Sequence, residues 1–159
     1  MILVTLGTQD KSFVRLLDAI QKQIDLGNIN DRVVVQAGCT KYKSNNMEIF
    51  DLIPMDDFDA LMNECDLLIT HGGVGSIISG LKRGKKVIAA ARLKKYKEHI
   101  NDHQLQIIDN FSSNGYLLKL DDFDKLGELI KKSKKFKPKT YESNVEEFRK
   151  KMVDCIESM

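Results

Sequence analysis

Leu67-Leu-Ile-Thr-His-Gly-Gly-Val-Gly-Ser-Ile77 decides how this chain reads. Leu67 to Ile69 is an apolar run of the kind that forms a strand buried on both faces. Val74 to Arg83 is helical, closed by Gly84 as a left-handed cap. Between them, Thr70-His-Gly-Gly-Val-Gly-Ser76 passes from strand directly into helix. Glycine lets a ligand approach the backbone closely, and the free N–H groups at the positive end of a helix favour an anion. A tight turn accounts for some glycine. Three glycines beside a histidine and a serine exceed what a turn needs.

The same alternation extends in both directions. Upstream, Ile2 to Leu6 reads as a strand closed by Gly7-Thr8-Gln9. Phe13, Leu16, Leu17, Ile20 and Ile24 follow at helical spacing, with Ser12 as the expected N-cap. Arg32 to Gln36 is a β-branched run ending at Ala37-Gly38, Met47 to Ile53 alternates until Pro54, and Asp57 to Glu64 reads as a short helix. Downstream, Lys86 to Ala91 is a strand and His99 to Phe111 an amphipathic helix with Ile100, Leu105, Ile107, Ile108 and Phe111 as its apolar residues. Gly115 to Leu120 reads as a strand, and Phe123 to Ile130 as a helix capped by Asp121 or Asp122. A Lys-rich linker over about 131–140 leads to a last helix, with Val145, Phe148, Met152, Val153 and Ile156 on one face. Strands that are apolar throughout, alternating with helices, imply a Rossmann-like parallel sheet with helices on both faces, an α/β fold in one domain over residues 1–159.

Composition agrees and excludes much else. The 159 residues suffice for one domain and bury roughly 70% of the unfolded surface. Hydrophobic and charged fractions of 42% and 30% are those of a globular chain, which excludes disorder and a disulfide scaffold. Lys+Arg 25 against Asp+Glu 23 leaves +2, so charge calls for no nucleic acid. No apolar stretch reaches the about 18 residues of a membrane span. Met1 to Leu6 has no basic region and stops at Gly7, unlike a secretory leader. Cys39, Cys65 and Cys155 are odd in number and far apart, which suits reduced thiols in the cytoplasm.

In an open parallel sheet, ligands bind beyond the carboxyl ends of strands near the point where strand order reverses. That rule singles out Gly7-Thr8-Gln9, Gly38, His71 to Ser76 and the segment after Ala91. The P-loop pattern is absent, since no Gly-Lys-Ser/Thr occurs. Gly73-Val-Gly75 lacks the third glycine of the dinucleotide fingerprint, and Ala91-Arg92 offers no acidic residue for a ribose. His99 and His103 stand four apart, a spacing that on a helix could hold a metal, but no third ligand accompanies them.

Thr70-His-Gly-Gly-Val-Gly-Ser-Ile77, followed by Arg92-Leu-Lys-Lys-Tyr-Lys-Glu-His-Ile-Asn-Asp-His-Gln104, resembles the nucleotide-sugar-binding half of GT-B glycosyltransferases. More narrowly it resembles glycosyltransferase family 28, the MurG-like family, and within it the small cytosolic subunits of split two-chain enzymes. The resemblance covers about Met1 to Leu120, and Ala91 departs from it where such proteins carry proline. It implies the C-terminal half of a GT-B fold. It also implies that Gly72, Gly73, Gly75 and Ser76 hold the diphosphate of a UDP-sugar, with His71 bonding the phosphate or orienting the loop. Glu98 then suits the ribose hydroxyls, since a carboxylate accepts two hydrogen bonds from a vicinal diol. His103 and Gln104 stand where the sugar is contacted, with Asn101 and Asp102 beside them. Gly7, Thr8 and Gln9 line the nucleotide, and Arg92 closes the donor set. No cofactor or metal is expected, and no residue beyond His71 comes near a catalytic role.

The implied function is the donor-binding subunit of an inverting glycosyltransferase that builds a lipid-linked glycan or polysaccharide precursor. A membrane-associated subunit would bind the acceptor and hold this chain peripherally at the cytoplasmic face. A noncatalytic enhancer of such a partner, or a stand-alone Rossmann-type nucleotide-dependent enzyme, are the alternatives. Lys131, Lys132, Lys134, Lys135, Lys137 and Lys139 form one basic cluster, able to approach anionic lipid or simply to be solvated. Arg92, Lys94, Lys95 and Lys97 form another, expected to face the donor or the partner.

Overall fold

A computed structural model describes residues 1–141 and 145–157, with side chains except those of residues 145–148. Six strands, β1 (Ile2–Thr5), β2 (Val33–Gln36), β3 (Glu48–Phe50), β4 (Leu67–His71), β5 (Lys86–Ala90) and β6 (Leu118–Leu120), form one sheet. Its order is β3-β2-β1-β4-β5-β6, and every neighbouring pair is parallel. The chain runs from β1 outward to β3, then returns to β1's other side for β4. Strand order therefore reverses between β1 and β4, whose Thr5 and Thr70 lie in register.

Alternation along the strands divides the core into two layers. Ile2 and Val4 face one side with Val33, Val35, Leu67 and Ile69, under α1 (Val14–Asp25) and α5 (Leu126–Ser133). Leu3 faces the other with Val34, Leu68, Val87 and Ala89. That second layer is covered by α2 (Met55–Glu64), α3 (Val74–Lys82) and α4 (His103–Ser113). The last helix, α6 (Val145–Glu157), joins it: Met152 is buried there and Ile156 half-buried. The side chains of Val145 and Phe148, expected on the same face, lie outside the described ones.

Four local expectations are corrected. Ser12 does not cap α1. The helix starts after Phe13, which is fully buried, and Thr40 Oγ1 accepts its N–H at 3.0 Å. Of the expected strand from Met47 to Ile53, only Glu48–Phe50 pairs, at the sheet's edge. The helix expected from His99 begins at His103. Before it come a 3-10 turn at Lys94–Tyr96, Lys97 in the left-handed region (φ 59°), and a loop. Side chains take the bonds of the missing first turn: His99 Nδ1 accepts the Asn101 N–H at 3.3 Å, and Asn101 Oδ1 the His103 N–H at 3.0 Å. Ile100, expected in the core, is accordingly 71% exposed. Lastly, the Lys-rich segment is no linker at its start, because Lys131 and Lys132 close α5.

Candidate functional site

The crevice opens where β1 and β4 end. Thr5 Oγ1 donates to Thr70 Oγ1 at 2.7 Å, holding the two strand ends together. Each strand then turns at a glycine, and the His71 imidazole lies between the two turns. A Cβ at Gly7 would stand 2.7 Å from His71 Cε1, and one at Gly73 closer still. Gly7 is also in the left-handed region (φ 82°). Gly72 is bare for a related reason, since a Cβ there would stand 2.7 Å from Gln104 Cβ. Gly75 differs. It is exposed in the first turn of α3, with nothing within 4 Å of its missing side chain.

Gln104, from the first turn of α4, ties this corner together. Its Oε1 accepts the N–H of Gly72 and the N–H of Arg92, both at 3.0 Å, bridging the ends of β4 and β5. That fixes the amide's orientation, so its Nε2 faces His71 Nδ1 at 3.2 Å as donor. His71 Nδ1 is thereby the acceptor, and the ring proton sits on Nε2. Burial, reinforced by the Arg92 charge, depresses the histidine to about 4. At neutral pH His71 is an uncharged imidazole with an N–H to give. Ahead of it, α3 starts at Gly73 with no side-chain cap, so its first amides are open to a ligand.

Arg92 and Glu98 lie beneath the crevice. The fully buried Arg92 guanidinium donates to the carbonyls of Leu6 (3.0 Å from Nε), Lys11 (2.6 Å) and Glu98 (3.1 Å), and stands 5.1 Å over the Phe13 ring. Glu98, also buried, meets Arg15 through both carboxylate oxygens at 2.9 and 3.1 Å and accepts the Leu93 N–H at 3.1 Å. Arg15 is stacked between Tyr96 and Phe123, 4.3 and 3.9 Å from their centroids. Nothing in the sequence around Arg15 announces this, because its three partners come from distant segments.

The rim carries the remaining residues. Thr8 and Gln9 are exposed, and the Gln9 amide lies 3.0 Å from His99 Nε2. Asn101 Oδ1 accepts the His103 N–H at 3.0 Å, and Asp102 Oδ1 the Lys94 N–H at 2.8 Å. Ser76 is half-buried in the first turn of α3. Cys39, which sequence did not place here, donates from Sγ to the Gln9 carbonyl at 2.9 Å. The His99–His103 spacing spans a loop rather than a helical turn. Among the described residues no group of three His, Cys, Asp or Glu could hold a metal ion.

A Rossmann-like sheet with an uncapped, glycine-rich helix start at its switch point defines an α/β domain of the kind that takes ligands at that point. The chain belongs to the glycosyltransferase family 28 C-terminal domain, which it matches over residues 1–159. It is 30% identical over 105 residues to the UDP-N-acetylglucosamine transferase subunit ALG13 of Debaryomyces hansenii, covering 66% of this chain and 47% of that one. The ALG13 of Cryptococcus neoformans is 23% identical over 128 residues, covering 74% and 63%. The chain thus spans about half to two thirds of the length of these relatives. Its fold matches an NMR structure of ALG13 with a TM-score of 0.62, at 21% identity over 96% of this chain and 94% of that one. It also matches the kitacinnamycin glycosyltransferase with a TM-score of 0.64, at 20% identity over 83% of this chain and 34% of that one.

Proposed function

We propose that this chain is the donor-binding subunit of an inverting, UDP-sugar-dependent glycosyltransferase that acts on a lipid-linked glycan or polysaccharide precursor. The diphosphate lies on the first amides of α3. The nucleotide is lined by Gly7, Thr8 and Gln9, and the sugar by Asn101, Asp102 and His103. Arg92, Glu98 and Gln104, expected from the sequence to touch the donor, are instead buried and bonded within the chain, and hold the loops from beneath. The observation that carries this is Gly75. Gly7, Gly72 and Gly73 are bare to make room for His71 and Gln104, but nothing among the described residues requires a glycine at 75. A ligand approaching the helix start does.

In the reaction the acceptor hydroxyl attacks the anomeric carbon as the bond to the diphosphate breaks. Negative charge grows on the leaving oxygen, and donors already aimed there stabilise it. The α3 amides and the His71 Nε2–H are such donors. Since His71 stays neutral down to about pH 4, it contributes a hydrogen bond rather than a proton. The acceptor's base comes from the second subunit. The names of the fungal relatives make UDP-N-acetylglucosamine the first donor to test.

The test is Gly75→Val. The site has space for the side chain, so the protein folds, but the branched group occupies the anion's approach. UDP binding, measured by calorimetry, is lost. Unchanged affinity in the folded variant defeats the assignment.

A further inference from the structure

We propose that the loop from Leu93 to Ile100 docks this chain directly onto an anionic phospholipid surface, beside the mouth of the nucleotide site. Lys94, Lys95 and Lys97 are all exposed, and among the described residues none of them forms an ion pair. Tyr96, between them, is 51% exposed, and Ile100 is 71% exposed. The two carboxylates nearest this basic run in the sequence have other tasks. Glu98 is held by Arg15 and the Leu93 N–H, and Asp102 accepts the Lys94 backbone N–H. The sequence suggested one cluster of Arg92 with these lysines; the structure divides it, burying the arginine and presenting the lysines.

The platform is preformed. Tyr96, Lys97 and Glu98 return backbone bonds to Leu93 and Lys94, at 3.3, 2.9 and 3.1 Å. Arg15 underlies the Tyr96 ring, and Arg92 holds the Glu98 carbonyl. Little conformational freedom is left to lose on docking. The chemistry favours lipid over a protein partner. Protein interfaces are depleted in lysine, whereas bilayer surfaces take lysines at the phosphates with aromatic and aliphatic groups between them. The loop also abuts the crevice, through His99 on Gln9 and Arg92 on the Leu6 carbonyl. Docking therefore brings the mouth to the membrane plane. That this serves a lipid-linked acceptor rests on the function proposed above; the docking itself does not.

Flotation of the purified chain with vesicles tests this, using phosphatidylcholine alone or mixed with phosphatidylglycerol at about 0.1 M salt. Binding to the anionic vesicles only is expected. Each lysine near such a surface contributes roughly fivefold, so Lys94→Gln/Lys95→Gln/Lys97→Gln weakens binding roughly a hundredfold. The corresponding triple Lys→Arg variant retains it, which excludes misfolding as the cause. Ile100→Ser weakens it several-fold. Lys131→Gln/Lys132→Gln/Lys134→Gln alters a basic cluster beside the amino end of β5, where Lys86 Nζ reaches the Lys134 carbonyl, and changes binding less than threefold. No flotation, or equal loss from the two Gln triples, overturns the proposal. So does a chain that ignores vesicles but whose loop variant loses its protein partner. UDP calorimetry on the same samples reports the nucleotide site separately.

Discussion

His71 is held neutral by its position, and that has a measurable consequence for stability. An unfolded histidine takes up a proton near pH 6.5, whereas this one waits until about 4. Between those values protons bind the unfolded chain preferentially. Stability is full above about pH 6.5 and falls as the pH drops toward 4, by about 3 kcal/mol in all. Urea unfolding at a series of pH values should show that slope in the native chain and a shallower one in His71→Asn, where His99, also depressed by burial, still contributes. The glycines around the ring allow a second test. A methyl at Gly73 collides with an imidazole already confined by Gly7, so Gly73→Ala should cost about 1–3 kcal/mol. In a His71→Ala background the same change should cost far less, and a double-mutant cycle in urea reads the difference. Sequence found the histidine and its glycines, because strand, glycines and helix are contiguous. It gave those glycines one shared task, and the structure divides them. Gly7 and Gly73 accommodate the ring and Gly72 accommodates Gln104, while the position of Gly75 stands open. Residues 33 positions apart, such as His71 and Gln104, leave no local trace of their bond.

At the scale of elements, α3 matters most, because in the proposed site its first amides would stand in for a cation. Peptide dipoles and free N–H groups favour a diphosphate without a metal counter-charge. EDTA should therefore leave UDP affinity within a factor of two by calorimetry; a strict Mg²⁺ or Mn²⁺ requirement counts against the site. Strands and helices were legible wherever an apolar run or a helical period was unbroken, as in β1, β4 and α3. Legibility failed between β5 and α4. His99 to Phe111 carries a helical pattern, yet Glu98 and Asp102 bond across the loop, Lys97 turns left-handed, and the first turn never forms. Tertiary partners outweighed periodicity. The last helix poses the opposite case: of the apolar stripe read for it, Met152 is buried in the layer under α2, α3 and α4.

On the scale of the whole molecule, the crevice proposed for the donor lies at the carboxyl end of the sheet, and this domain forms one wall of it. An acceptor needs a second wall, and holding two substrates in attack geometry is worth several kcal/mol that a lone half-site does not supply. The purified chain should transfer sugar poorly to a lipid-linked acceptor, and a membrane-associated second subunit should restore turnover. Rapid multiple turnover by the chain alone would show that it is no half-enzyme. The switch of strand order that creates the crevice also bears on how the protein is made. Of the six strands, β1 is translated first but sits mid-sheet, between β2 and β4. Thr5 waits for Thr70, 65 positions later, which at 5–20 residues per second is roughly 3–13 s of synthesis. Through that interval Ile2 to Leu6 has an open, oily edge, and the nucleotide site has no far bank. A nascent chain therefore cannot close this crevice early; its exposed strand edge needs shelter until β4 has been translated.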